Sequence, residues 1–359
     1  MRNLFETTQE KSKKISIEDV LKCRITDETE INELEAIISF QDSVFCAKNE
    51  MSFISGKPKA GKTSVASVML ACCLTPNPTF DTLGMKGKYC EGKPIIYIDS
   101  EQSRRSSKKI LERIKRLLNT DKSPSNLFLY NFRHLSFEEL KKCFELLLSH
   151  HKGSFLWFLD GISDMVKSVN NEEEAKTLIH YLNSKVETEK TAFILFLHEN
   201  STSSNDKMRG HLGSEAQRKC FATISISKDR KTQIHSIKSV ECRETRNFDE
   251  VLFRFDEATK SMITLQGAEY EKAKKELETE RIEDLWDTAS VLKPNEKVNN
   301  KTLCERIELY KGWKRTSIMK AIKEMVQFGI IEKEEKSKNE VYYFLRTPNS
   351  ENICNSETP

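Results

Sequence analysis

Several features are missing from this 359-residue sequence, and each absence narrows the possibilities. No run of about 18 apolar residues occurs, so no segment is a candidate for a membrane-spanning helix. The opening MRNLFETTQEKSKK carries charge where a secretory signal needs an apolar stretch, and a cytoplasmic location is expected. Prolines are few, at eight, and the 37% hydrophobic and 31% charged content matches a soluble globular chain, not a disordered one. The ten cysteines include no Cys-x-x-Cys and no Cys/His ligand spacing; only Cys72 and Cys73 adjoin. Reduced thiols are therefore expected in place of disulfides or zinc. Net charge is only +3. Between Asn300 and Arg346, however, eleven Lys/Arg face seven Asp/Glu, a local bias that permits DNA binding.

What is present is long enough for two domains. Residues 1–40 are expected to form an N-terminal helical region. In it Ser16-Ile17-Glu18-Asp19 resembles a capping box, and a second helical pattern follows in INELEAIISF. From residue 41 to 266, short apolar runs alternate with longer amphipathic segments. MSFIS, PIIYIDS, NLFLYNF, FLWFLD, AFILFLH and ATISISK read as strands. Several are apolar throughout, as strands covered on both faces are. KTSVASVMLACCL, SRRSSKKILERIKRLL, FEELKKCFELLLSH and EEAKTLIHYLNSKVE read as the helices between them. Such alternation predicts an α/β, doubly wound, mainly parallel sheet, which IHSIKSV, EVLFRFD and SMITLQ would extend in antiparallel fashion. Residues 267–280 are expected to be a helical linker, 281–346 a winged-helix domain and 347–359 a disordered tail. There are no internal repeats.

The most specific motif is Gly56-Lys57-Pro58-Lys59-Ala60-Gly61-Lys62-Thr63, which fits G-x-x-x-x-G-K-[ST] at every required position between a strand and a helix. Two glycines let backbone N–H groups turn inward on a phosphate chain, and the helix after them, starting at Ser64, adds the positive end of its dipole. Lys62 would reach the β- and γ-phosphates of ATP, and the Thr63 hydroxyl would complete a Mg²⁺ shell. Asp160 ends the apolar run FLWFLD and is expected to hold the metal through a bound water, with Gly161 turning the chain away. Ile95-Ile96-Tyr97-Ile98-Asp99 runs into Ser100-Glu101-Gln102, which places the Glu101 carboxylate at a strand's carboxyl end, facing the same crevice.

These motifs resemble the RecA-like P-loop ATPases. In that family the glutamate at the Glu101 position polarises the attacking water, which makes Glu101 the expected general base. The resemblance implies a polar γ-phosphate sensor at the end of AFILFLH, namely His198 or Asn200. It also implies a mobile DNA-binding loop directly after, in STSSNDKMRGHLGSEAQR, where Arg209 is a DNA-contact candidate. Hexameric members place a Lys and an Arg that reach a neighbouring subunit's nucleotide; Lys238, Arg243 and Arg246 are the candidates here, with solvated surface charges as the other reading. GKPKAGKT, DSEQ, LDGISDM and HEN…RGHLGS, over residues 40–265, look most like the AAA-25 or RepA-like branch, ATPases of plasmids, phages and integrated mobile elements. His-Glu-Asn departs from the paired histidines more usual there.

In the C-terminal part, RIEDLWDTASVL, KTLCERIELY and TSIMKAIKEMVQF read as three helices, then Gly329 and two β-rich stretches form a wing. Lys314, Arg315, Lys320 and Lys323, with Lys333, Lys336 and Lys338 on the wing, could contact DNA phosphates. Together these features predict a DNA-associated ATPase resembling a replicative helicase and acting as a homo-oligomer, with the hexamer as the form the resemblance implies. The rivals are an ATP-switched DNA-binding regulator and a recombination or partition accessory.

Overall fold

A computed structural model of the chain describes residues 15–30, 33–199, 208–337 and 340–346. Two compact units divide it, residues 1–35 and residues 36–359. The first contains helix α1 (Ile17–Leu21), which opens as the sequence predicts: the Asp19 amide donates to Ser16 Oγ, and the Asp19 carboxylate accepts from the Ser16 amide. The remainder of the expected N-terminal helical region differs. Ala36–Phe40 is a strand, β1, not the end of a second helix. Its residues Ile37, Ile38 and Phe40 are buried, and it pairs antiparallel with β2 (Ser43–Ala47) through a tight turn in which Gln41 has φ 51°. Adjacent isoleucines suit a helix face or a buried strand equally, and here pairing with β2 decides the outcome.

The phosphate-motif strand β3 (Met51–Gly56) follows, then α2 (Lys62–Leu74), β4 (Met85–Gly87) against β1, and β5 (Ile95–Asp99). Next come α3 (Arg104–Leu117), β6 (Leu127–Asn131), α4 (Phe137–His150), β7 (Leu156–Asp160), a 3-10 turn over Ile162–Met165, α5 (Glu172–Thr188) and β8 (Phe193–His198). After α6 (Gly210–Lys219) run β9 (Ala222–Lys228), β10 (His235–Cys242), β11 (Val251–Asp256) and β12 (Ser261–Thr264). One nine-stranded sheet results, in the order β12-β11-β10-β9-β3-β8-β7-β5-β6. The strands from β9 to β6 are mutually parallel, and β10, β11 and β12 extend them antiparallel. This is the mixed α/β, mainly parallel architecture that the alternating pattern predicts.

Both faces of the sheet are covered. Ile95, Tyr97, Leu156 and Phe158 share a core with Val65, Met69 and Ala66 of α2 and Ile110 and Ile114 of α3. The alternate residues face the other way: Trp157 and Phe193 pack edge-on against Phe144 of α4, at 5.8 and 6.0 Å between ring centroids. β3, β5 and β7 are buried at every position, which is why their sequences show no polar alternation.

The expected linker and the first C-terminal helix are one continuous helix, α7 (Gly267–Ala289), so no break falls at residue 280. Neither proline nor glycine interrupts it after Gly267. Its last turns join α8 (Asn300–Lys311) and α9 (Arg315–Gln327) around a separate core containing Leu285, Leu303, Ile307, Ile318, Ile322 and Met325. A three-stranded antiparallel sheet, β13 (Val298–Asn299), β15 (Glu340–Leu345) and β14 (Ile331–Ser337) in that order, closes this module. Among the described residues no helix is long and apolar enough to cross a membrane. Asn200, Lys338 and the tail from residue 347 lie outside the described residues.

Candidate functional site

The site begins where the parallel strands end. Register places Gly56 beside His198, and Asp99 beside Asp160, so the carboxyl ends of β3, β8, β7 and β5 lie at one edge of the sheet. Chains leave this edge in different directions, opening the crevice in which α/β sheets take their ligands. Gly56 is required there. Its φ is +152°, and a Cβ would stand 2.3 Å from the Ile226 carbonyl oxygen of β9. The loop after it swings tightly against the sheet and delivers the chain into α2.

That helix starts without a side-chain cap and with no acidic residue in its first turn. No backbone carbonyl among the described residues accepts from the Lys62 and Thr63 amides. Amides without a backbone acceptor, the helix dipole and a lysine come together here, an arrangement suited to an anion. Lys62 is itself buried, its Nζ donating to the Gly56 carbonyl at 2.8 Å and the Lys57 carbonyl at 3.4 Å. Burial lowers its pKa, against the pull of Asp160, Glu101 and Glu199.

His198 links this lysine to Glu101. Lys62 Nζ lies 3.1 Å from His198 Nδ1, and His198 Nε2 lies 3.1 Å from Glu101 Oε2. Only one set of proton positions satisfies both contacts with a charged lysine: Nδ1 accepts from the ammonium and Nε2–H donates to the carboxylate. Ammonium, neutral imidazole and carboxylate thus form one hydrogen-bonded line across the crevice. For Glu101, burial alone would raise the pKa, but the hydrogen bond from His198 and the nearby Lys62 ammonium bring it below the ordinary value.

Asp160 is deeper, at 4% exposure, and its Oδ2 accepts from the Tyr97 hydroxyl at 2.7 Å. Burial raises its carboxyl to about 7, aided by Glu101 and Asp99 and opposed by the Tyr97 bond and Lys62. A divalent cation next to it would compensate for that burial. Thr63 and Asp160 are the residues that would hold one. Among the described residues no group of three or more His, Cys, Asp or Glu could hold a metal ion. The donor set fits a magnesium carried in on phosphates, for which one or two protein oxygens suffice.

Four residues outside the predicted set complete the site. Gln102 reaches from the end of β5 to Thr63, its Nε2 3.3 Å from Oγ1. Asp99 accepts from the Glu101 and Gln102 amides at 3.1 and 2.8 Å and from Ser107 Oγ at 2.6 Å, so it fixes the turn that aims Glu101. Glu199 is buried behind the loop and accepts from Ser55 and Ser225, both at 2.7 Å, tying β3, β8 and β9 together. His235 Nδ1 contacts the Ala60 carbonyl at 2.8 Å and its ring stacks on Phe253, which supports the loop from below. Glu199 could have been flagged as the middle of the His-Glu-Asn triplet. His235 had no such signal.

The other candidate residues lie elsewhere. β10 runs away from the loop edge, since His235 pairs with Lys228 and Cys242 with Ala222. Lys238 is therefore mid-strand, 3.3 Å from Glu250, while Arg243 and Arg246 lie at the opposite end of the sheet from the loop, all exposed. Arg209 is exposed just ahead of α6, its amide bonded to the His198 carbonyl. The stretch expected to be loop as far as Arg218 is helix from Gly210, because Leu212 and Ala216 have a buried face to fill. In the C-terminal module Lys314, Arg315, Lys320 and Lys323 are exposed along α9, and Lys320 lies 3.9 Å from Glu324. Lys333 pairs with Glu335, and Lys336 lies over the Tyr342 ring.

Comparison with protein-family models gives no match, and comparison with curated proteins gives no significant one.

Proposed function

We propose that this chain binds ATP with Mg²⁺ in the loop from Gly56 to Ser64 and hydrolyses it, as a RecA-like ATPase acting on DNA. The observation that carries this reading is the hydrogen-bonded line Lys62–His198–Glu101, set across the same crevice as the uncapped α2 terminus. Lys62 meets the β- and γ-phosphates and offsets their charge. Glu101, kept ionised by its neighbours, takes the proton of a water as that water's oxygen bonds the γ-phosphorus and the β–γ oxygen departs with ADP. His198 contacts both groups, so occupation of the phosphate site changes the partner available to Glu101. Magnesium, held by Thr63 and Asp160, would neutralise charge growing on the leaving oxygens. The exposed cations of α9 and the β14–β15 hairpin support a winged-helix role for the C-terminal module, recruiting the ATPase to DNA. Lys238, Arg243 and Arg246, remote from their own loop, would serve a neighbouring copy in an oligomer.

Phosphate release from ATP tests this. The wild-type chain should turn over, Lys62→Ala should lose binding and turnover, and Glu101→Gln should bind nucleotide without hydrolysing it. Full turnover in Glu101→Gln would remove that residue from the reaction.

A further inference from the structure

A second cleft opens beside this site, on the far side of the turn that carries Glu101. It lies between α3 and the segment joining β6 to α4, with a volume of ≈ 650 Å³, and adjoins another of ≈ 580 Å³ that shares Arg104, Asn131 and His134 with it. Among the described residues no Asp or Glu lines either one. Arg104, Lys108, Arg133 and His134 do, all exposed, and Tyr130 and Phe132 contribute half-buried rings 5.8 Å apart. On α3 the neighbouring Lys115 pairs with Glu112, whereas Arg104, Lys108 and Arg133 have no carboxylate at ion-pair distance among the described residues. Arg104 and Arg105 also occupy the first turn of α3, which itself contains no acidic residue. Cations gathered at such a place repel one another unless an anion joins them.

We infer that this cleft binds single-stranded nucleic acid, its phosphates on Arg104, Lys108 and Arg133 and its bases against Tyr130, Phe132 and His134. Rings among unpaired cations favour this occupant over an acidic peptide, because bases stack and carboxylates do not. The floor of the cleft connects directly to the reaction site. Asn131 Nδ2 donates to the Gln102 carbonyl at 2.8 Å and to Ser107 Oγ at 2.7 Å; Ser107 holds Asp99, and Gln102 holds Thr63. A strand lying over Asn131 therefore bears on the turn that aims Glu101. This coupling rests on the ATPase reading; the binding does not.

Fluorescence anisotropy of a labelled oligothymidylate, measured without nucleotide, tests the binding. Arg104→Glu/Lys108→Glu/Arg133→Glu should weaken it at least tenfold, and each phosphate left without its cation should flatten the logarithmic salt dependence by about 0.7. Arg104→Gln/Lys108→Gln/Arg133→Gln should show a smaller loss in the same direction, and Phe132→Ala a loss with the salt slope unchanged. Unchanged affinity in both triple variants would overturn the inference, as would displacement of the oligonucleotide by polyglutamate at equal charge concentration. MgATP binding in the same samples keeps the readings separate: a chain that binds the oligonucleotide through these cations yet no ATP sinks only the ATPase reading.

Discussion

The raised carboxyl of Asp160 makes a prediction about stability that runs against the usual effect of mutating a buried polar residue. Its pKa in the folded chain is about 7, against 3.8 for an ordinary aspartate. The folded state therefore holds a proton that the unfolded state releases between those values, and stability contributed at this position falls as pH rises from 4 to 7. Three pKa units correspond to about 4 kcal/mol, an upper bound on the cost of the ionised form at pH 8. Asp160→Asn keeps an oxygen for the Tyr97 hydroxyl, at 2.7 Å in the parent, and cannot ionise. The variant should match the parent at pH 4 and exceed it by about 2–4 kcal/mol at pH 8, or about 3–8 °C in melting temperature. Thermal unfolding followed by fluorescence of the buried Trp157 reads this out. Adding MgATP should reverse the ranking, because only the parent retains a carboxylate for the metal. A variant less stable than the parent at pH 8, or a gain of equal size at both pH values, would refute the burial argument.

Other outcomes follow from the same geometry. Gly56→Ala forces a methyl against the Ile226 carbonyl and should cost about 1–3 kcal/mol by overpacking, seen as an earlier urea midpoint together with weakened nucleotide binding. His198→Ala removes a hydrogen bond to a charged group, worth about 1.5–3 kcal/mol, so turnover should fall about 10- to 150-fold. With His198 gone, burial prevails at Glu101, and the acid limb of the pH–rate profile should move to higher pH; an unmoved limb would show that His198 does not set the state of Glu101.

Where chemistry and packing were local, the sequence disclosed them. FLWFLD and IIYID read as strands covered on both faces, and their last residues mark the crevice. The loop motif carried its own glycine, lysine and threonine in fixed order. What escaped depended on partners far along the chain. AIISF became a strand because β2 and β4 were there to pair with it, and nothing within the five residues states that. The linker boundary expected at residue 280 followed the charged run YEKAKKELETE, whereas the backbone continues as one helix to Ala289. His235 supports Ala60 across 175 positions, and Glu199 accepts from serines on two other strands. Both contacts are products of sheet register, which a reading of motifs does not supply. Gln102 was adjacent to Glu101 and Asn131 lay within the strand NLFLYNF, yet their role depends on how the Asp99 turn folds.

Titration of the purified chain with a fluorescent ATP analogue and magnesium addresses the claim on which the enzymatic account stands. Saturable binding that disappears in Lys62→Ala is the expected result. No binding by the wild-type chain, or equal binding by the variant, would mean that the loop from Gly56 to Thr63 does not grip a triphosphate.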